Sequence, residues 1–203
     1  PRAVTIADLN DDLRPDLAVS TTSDAVSVFF QNAAAGTFAS ALNLPTGPRP
    51  VALKAVDLNG DGRLDLVTAN YRAGGADGIS VILQTTTAGT FAATVNVDAG
   101  DTYAAGLAVA DLDGDGRPDL VVACAGNAGT PGNVAVLRQN PASPGTFVPA
   151  DLYGGYTGPV AVAVGDLDGD GLPDLIVGDG RPYIRPQLTG QPGKFGPGTF
   201  LPY

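Results

Sequence analysis

Histidine, tryptophan, methionine and glutamate are all missing from this chain of 203 residues, and cysteine occurs once, at Cys124. Each absence removes a class of chemistry. One thiol cannot form an internal disulfide, and in "VVACAG" it reads as a small buried strand residue. Without histidine or glutamate, general acid–base work would fall to aspartate, tyrosine or arginine, so the chain is expected not to be an enzyme. Long helical patterns are lacking too, and all 21 acidic residues are aspartate, an acid poorly suited to exposed helices. Positive charge is scarce. The 11 basic residues leave a net charge of −10, which argues against nucleic acid or an anionic membrane as a partner. No apolar run approaches the length of a bilayer span, so direct membrane insertion is not expected. The chain opens at Pro1 with no initiating methionine and no visible signal peptide, and reads as a mature form or an excised piece.

Glycine (28) and proline (17) are abundant without a short strict period, which points to tight turns between short strands. One decapeptide recurs four times: "DLNDDLRPDL" from Asp8, "DLNGDGRLDL" from Asp57, "DLDGDGRPDL" from Asp111 and "DLDGDGLPDL" from Asp166. Spacings of 49, 54 and 55 residues indicate a repeat array. An alternating apolar run precedes each copy ("RAVTIAD", "VALKAVD", "GLAVAD", "VAVAVGD") and a short apolar stretch follows it ("DLAVS", "DLVTAN", "DLVVAC", "DLIVGD"). A third run reads "AVSVFFQN", "GISVILQT", "NVAVLRQN" and a degraded "PYIRPQL"; a fourth is expected to open with "GTF" at Gly36, Gly89, Gly145 and Gly198. Four short strands per unit, antiparallel through short loops, predict an all-β chain. The predicted architecture is a β-propeller of four four-stranded blades, at about 1–44, 45–98, 99–152 and 153–203, forming a single domain. It either closes as a four-bladed ring or forms half of an eight-bladed ring in a homodimer, because unclosed end blades would expose apolar faces.

Positions 1, 3, 5 and 9 of the decapeptide carry oxygen side chains in every copy. They are Asp8, Asn10, Asp12 and Asp16; Asp57, Asn59, Asp61 and Asp65; Asp111, Asp113, Asp115 and Asp119; and Asp166, Asp168, Asp170 and Asp174. Ionised carboxylates this close repel by about 4 kcal/mol per pair at 4 Å and an effective dielectric near 20. A dication cancels that repulsion. Alternate residues of an extended segment project to one side, and glycine at position 6 lets the loop bend so that they converge. The backbone carbonyl of position 7 (Arg14, Arg63, Arg117, Leu172) is a further candidate ligand. All-oxygen donors on a flexible loop suit Ca²⁺, at about 2.3–2.6 Å, better than Mg²⁺, which keeps its waters. Fourteen of the 21 aspartates lie at these positions, and four structural Ca²⁺ ions would bring the charge from −10 to −2. Loop one has Asp11 and Leu13 where the other three have glycine, so it is expected to bind most weakly, and loops three and four most tightly. An EF-hand would need glutamate at position 12, which is occupied by Val19, Thr68, Val122 and Val177.

The combination of D-x-[DN]-x-D-G-x-x-D between two apolar strands with a following "GTF" resembles the FG-GAP/VCBS repeat family, which includes the calcium-bearing blades of integrin α-subunit propellers. The resemblance covers essentially the whole chain. It implies a propeller with metal loops joining the first and second strands of each blade, and an extracellular or cell-surface location in bacteria.

Successive loops of an antiparallel blade alternate between two faces. The face opposite the calcium loops would gather the most variable segments, with Tyr71, Arg72, Tyr103, Tyr153, Tyr156, Arg181 and Tyr183 in or beside them. Tyrosine suits sugar rings and protein hot spots. The expectation is a secreted or surface module that binds a glycan or protein on that face, in adhesion for instance. The alternatives are a purely structural or oligomerising unit, or an accessory domain of a polysaccharide-degrading enzyme.

Overall fold

The computed structural model describes residues 1–34, 36–71, 78–127 and 129–202. Its sixteen strands fall into four sheets in chain order. The first sheet holds β1 (Val4–Ala7), β2 (Asp16–Ser20), β3 (Ala25–Phe29) and β4 (Leu42–Pro45). The second holds β5 (Pro50–Val56), β6 (Asp65–Asn70), β7 (Ile79–Ile82) and β8 (Val95–Val97). The third holds β9 (Ala104–Ala110), β10 (Asp119–Cys124), β11 (Gly132–Leu137) and β12 (Asp151–Tyr156), and the fourth β13 (Ala161–Gly165), β14 (Asp174–Asp179), β15 (Arg181–Arg185) and β16 (Thr199–Phe200). Every strand pairs antiparallel with its chain neighbour. Each sheet is open, its first and last strands unpaired with one another.

The first strands pack in succession, β1 against β5, β5 against β9 and β9 against β13. Three apolar cores lie between successive sheets. Leu9, Ala18, Val26 and Val28 meet Leu53, Leu66 and Ile82 at the first junction. Leu58, Val67 and Ile79 meet Leu107, Leu120, Val122 and Cys124 at the second. Leu112, Val121 and Val136 meet Leu175, Val177 and Phe195 at the third. The period of two in each strand sends alternate residues to opposite junctions: Leu120 and Val122 face the second sheet, and Val121 faces the fourth. The middle sheets are therefore covered on both faces, and β6 and β10 are buried at every position. The first sheet has one covered face, so β2 alternates between buried and half-buried, and Val4 and Ile6 of β1 stand exposed.

Two details depart from expectation. In three of the four repeats "GTF" does not open the fourth strand. In the first three sheets its glycine turns at positive φ and its phenylalanine bridges back to a glutamine after the third strand, in the pairs Gln31–Phe38, Gln84–Phe91 and Gln139–Phe147. In the fourth sheet that role falls to "GKF", with Gly193 at φ +67° and Phe195 bridged to Gln187, while the "GTF" at Gly198 supplies β16. Likewise "PYIRPQL" is not degraded: it forms the full strand β15 and carries the equivalent glutamine, Gln187.

Candidate metal centre

Each decapeptide links the first and second strands of its sheet: Asp8 to Asp16 between β1 and β2, and so on through Asp166 to Asp174 between β13 and β14. All four loops therefore lie at the same end of the inner strands. In loop three, the carboxylates of Asp111, Asp113 and Asp115 offer oxygens within 4.8 Å of one another; in loop four, Asp166, Asp168 and Asp174 do the same. Two donors on opposite sides of a Ca²⁺ ion stand about 5 Å apart, twice the metal–oxygen distance, so both groups fit that ion.

The loops wrap their first aspartate in backbone donors. Asp57 accepts the N–H groups of Gly60, Asp61 and Gly62 at 2.8–3.2 Å, and Asp111 accepts those of Gly114, Asp115 and Gly116. Asp8 accepts Asn10, Asp12 and Leu13 in the same way. Although burial pushes the Asp8 carboxyl up, these N–H groups outweigh it and hold the carboxyl below its ordinary value. The loop glycines that permit this wrap sit at φ of +75° to +84°. Loop one reaches the same shape with Asp11 at +60° and Leu13 at +64°, a region that side chains with a Cβ rarely occupy.

The fifth-position aspartates Asp12, Asp61, Asp115 and Asp170 each accept the N–H of the seventh residue at 2.8–2.9 Å. In the first three loops the seventh-position arginine folds back as well, Arg63 reaching Asp61 at 2.9 Å and Arg14 and Arg117 pairing likewise. These arginine side chains thus neutralise one carboxylate each. Leu172 cannot, which leaves loop four the most negative.

The ninth-position aspartate works differently. Asp16, Asp65, Asp119 and Asp174 are buried, and both oxygens of each are taken by backbone donors. One oxygen of Asp119 accepts the N–H of Leu112 at 3.0 Å, and the other that of Gln139 at 2.8 Å. The same pair recurs as Leu9 and Gln31 on Asp16, Leu58 and Gln84 on Asp65, and Leu167 and Gln187 on Asp174. Burial, reinforced by neighbouring loop carboxylates, pushes Asp65 and Asp119 up to about 6 against these hydrogen bonds, and raises Asp16 as well. Each carboxylate oxygen keeps a second lone pair, so stapling the loop does not prevent metal ligation.

Those glutamines are the residues that motif reading missed, although the signal was present: Q follows the third apolar run in all four repeats. The side chains of two of them tie one repeat to the previous one. Gln84 Nε2 donates to the Leu9 carbonyl at 3.1 Å, and Gln139 Nε2 to that of Leu58 at 2.8 Å. At the third junction the Gly193 N–H reaches the Leu112 carbonyl at 3.1 Å.

The tyrosines expected on the opposite face divide. Tyr156 is 2% exposed and lies in β12, which runs past residue 152, so Tyr153 and Tyr156 belong to the third sheet. Together with Tyr183 they surround buried Arg185, whose guanidinium lies 5.4–5.7 Å from the three ring centres. Arg185 also donates to the Tyr156 hydroxyl and to the carbonyls of Gly196 and Gly154. It stands opposite Leu175, where the other sheets set Phe29, Ile82 and Leu137 against their leucines. These three tyrosines pack a junction. The rings of Tyr71 and Tyr103 meet at a tilt of 50°, centres 4.9 Å apart, while Arg181 lies over Phe200 and Arg72 falls outside the described residues. Burial raises the Cys124 thiol to about 12, which leaves it inert at neutral pH.

Among solved structures, 68 chains match this one. One is a chain in a crystal structure of BBS1N in complex with ARL6DN, soaked with lead; it is 17% identical, with a TM-score of 0.58, over 98% of the present chain. The present chain spans 56% of the length of that one. No curated protein matches. The FG-GAP-like repeat family matches residues 8–68, 69–122 and 121–177. With loop, flanking strands and glutamine recurring in every sheet, the chain belongs to the FG-GAP-like repeat family.

Proposed function

We propose that this chain is a non-catalytic, calcium-stabilised β-propeller module of a bacterial secreted or surface protein, with its binding face opposite the calcium loops. The observation that carries the reading is the convergence of three carboxylates within 4.8 Å in loops three and four. Such groups are mutually repulsive until a dication joins them, and ligands supplied by one closed loop suit a structural ion rather than a catalytic one. Asp8, Asn10, Asp12 and Asp16 and their counterparts would hold up to four ions, with the seventh-position carbonyls completing each shell. Because only the folded loop binds the ion, each site adds about 2.7 kcal/mol of stability at a calcium concentration of 100 Kd. Calorimetric melting in calcium, magnesium and chelator tests this. A large rise with calcium and a small one with magnesium is expected, and identical melting in all three overturns the reading.

The propeller reading has its own support in the two end sheets. Leu9, Leu58 and Leu112, the second residues of loops one to three, are buried against the following sheet, whereas Leu167 of loop four is 51% exposed. A Cβ at Gly89, Gly145 or Gly193 would come within 3.1–3.5 Å of Asn10, Asn59 or Asp113 of the preceding loop, whereas one at Gly36 would point into open space. The last sheet thus offers the knob that the first sheet lacks. We take the four sheets as blades of a wheel that a second copy completes, last blade onto first, at both junctions.

A further inference from the structure

At the ends of the inner strands farthest from the calcium loops, a cavity of about 300 Å³ opens between all four sheets. Its walls are Arg2, Arg49, Val51, Tyr71, Ala105 and Val160. The distribution of charge singles it out. Arg14, Arg63 and Arg117 are spent on loop carboxylates, Arg138 and Lys194 on Asp151, and Arg185 on carbonyls and rings. Among the described residues, Arg2, Arg49 and Lys54 pair with no carboxylate, and all three line the inner strands: Arg2 and Arg49 at this mouth, and Lys54 in the adjoining cavity of about 520 Å³ between β5, β9 and β13. The carboxylate beside Arg49, that of Asp24, accepts the Arg49 backbone N–H at 2.8 Å. In a protein of net charge −10, two of these three cations, Arg2 and Arg49, therefore sit together at one mouth.

The mouth is also pre-shaped. The Arg49 guanidinium lies 5.0 Å from the centre of the Tyr71 ring, and the Tyr103 ring meets the Tyr71 ring at a tilt of 50°, centres 4.9 Å apart. Arg49 and Tyr103, each the residue just before an inner strand, are held at φ of +56° and +58°. Side chains with a Cβ avoid that region, and strain of this kind concentrates at ligand clamps. Arg2 is held by its N–H, which donates to the Ser20 carbonyl at 3.2 Å.

We propose that this mouth binds a carboxylate-bearing sugar ring, the uronate unit of an acidic glycan, with Arg2 and Arg49 gripping the carboxylate and Tyr71 presenting its ring edge and hydroxyl to the sugar. The proposal rests on the opposite face being the binding face, and names its ligand. Guanidinium groups match a carboxylate bidentately, and aromatic side chains pack the apolar side of a sugar. A cavity near 300 Å³ is at the lower end for small-molecule sites, enough for one or two sugar rings and too little for a folded partner.

Titration calorimetry on the calcium-loaded chain tests it, with trigalacturonate, the neutral galactose trisaccharide and a hexa-aspartate peptide as probes. Saturable binding of trigalacturonate is expected, weakened about tenfold or more by Arg49→Asn and by Arg2→Gln and unchanged by Arg138→Gln. Asparagine tolerates the left-handed backbone at position 49, and an unchanged melting temperature shows each variant folded. No saturation by about 10 mM uronate, equal affinity for the neutral sugar, or tighter binding of the peptide overturns the proposal. Binding of any probe that survives both arginine substitutions also overturns it, while leaving the broader binding-face reading standing. That broader reading fails separately, if a glycan array and a protein-capture screen with calcium-loaded protein both come up empty.

Discussion

Gln139 Nε2 donates to the carbonyl of Leu58 at 2.8 Å, across the junction between the second and third sheets and 81 residues away in the chain. The same amide reaches the Pro118 carbonyl at 3.0 Å, while the Gln139 backbone N–H holds Asp119. One residue thus connects its own candidate metal loop to the loop before it. Gln139→Ala strands two acceptors and is expected to cost about 2–4 kcal/mol in urea unfolding. Gln31 makes no side-chain hydrogen bond among the described residues, so Gln31→Ala should cost under about 1 kcal/mol in the isolated chain. Equal losses would show that the cross-junction bond carries no weight.

Loop one carries removable strain. Leu13 is 93% exposed at φ +64°, so its side chain gains nothing from packing. Leu13→Gly should stabilise the chain by about 1 kcal/mol, the penalty of a Cβ in that region less the extra freedom of unfolded glycine. It should also tighten calcium binding at the first loop toward that of the second, read by titration calorimetry. A destabilised variant would mean that the loop relies on Leu13 in some other way.

On the proposed calcium reading, metal and protons would compete at Asp65 and Asp119. Burial favours the protonated form of each folded carboxyl and pushes it up to about 6, above the ordinary 3.8. For a raised acid, that stabilisation is complete below the unfolded pKa and is lost as pH rises through the folded one. In chelator, these two residues therefore make the chain melt higher near pH 5 than near pH 7.5, across the window between about 4 and 6. Asp8 and Asp61 are shifted downward, so their contribution is lost only below the ordinary carboxylate value, outside that comparison. Calcium needs ionised ligands, and in its presence the order should reverse. A chelated melting temperature that rises with pH would contradict the assignment.

Leu112 and Leu167 hold equivalent places in successive loops, one 1% and the other 51% exposed. Leu112→Ala should cost about 2–5 kcal/mol, whereas Leu167→Ala should leave chain stability within about 0.5 kcal/mol. If the last sheet docks on the first sheet of a second copy, Leu167→Asp converts that dimer to monomer in sedimentation. A wild-type chain that sediments as a monomer at every concentration removes the pairing.

Much of the site was legible before any coordinates. The alternation of aspartate and glycine in "DLDGDGRPDL" dictates a tight loop with carboxylates facing inward, because glycine reaches the left-handed backbone freely and side chains two apart share a side. The role of Asp119 was not legible, since its second hydrogen-bond partner, Gln139, is 20 residues away. The role of "GTF" was not legible either: it opens a strand only at Gly198, while in the first three repeats, and through "GKF" at Gly193 in the fourth, the phenylalanine bridges back to a glutamine seven or eight residues earlier.

Local chemistry in the sequence determined the strands, their antiparallel order and the acidic loops, because turn residues and a period of two act within a few neighbours. Only the tertiary structure decided which face each strand buries, that Tyr156 serves Arg185 instead of solvent, and that the unspent arginines gather at one mouth. Those outcomes depend on the packing of one sheet on the next, which brings together residues that no local pattern relates.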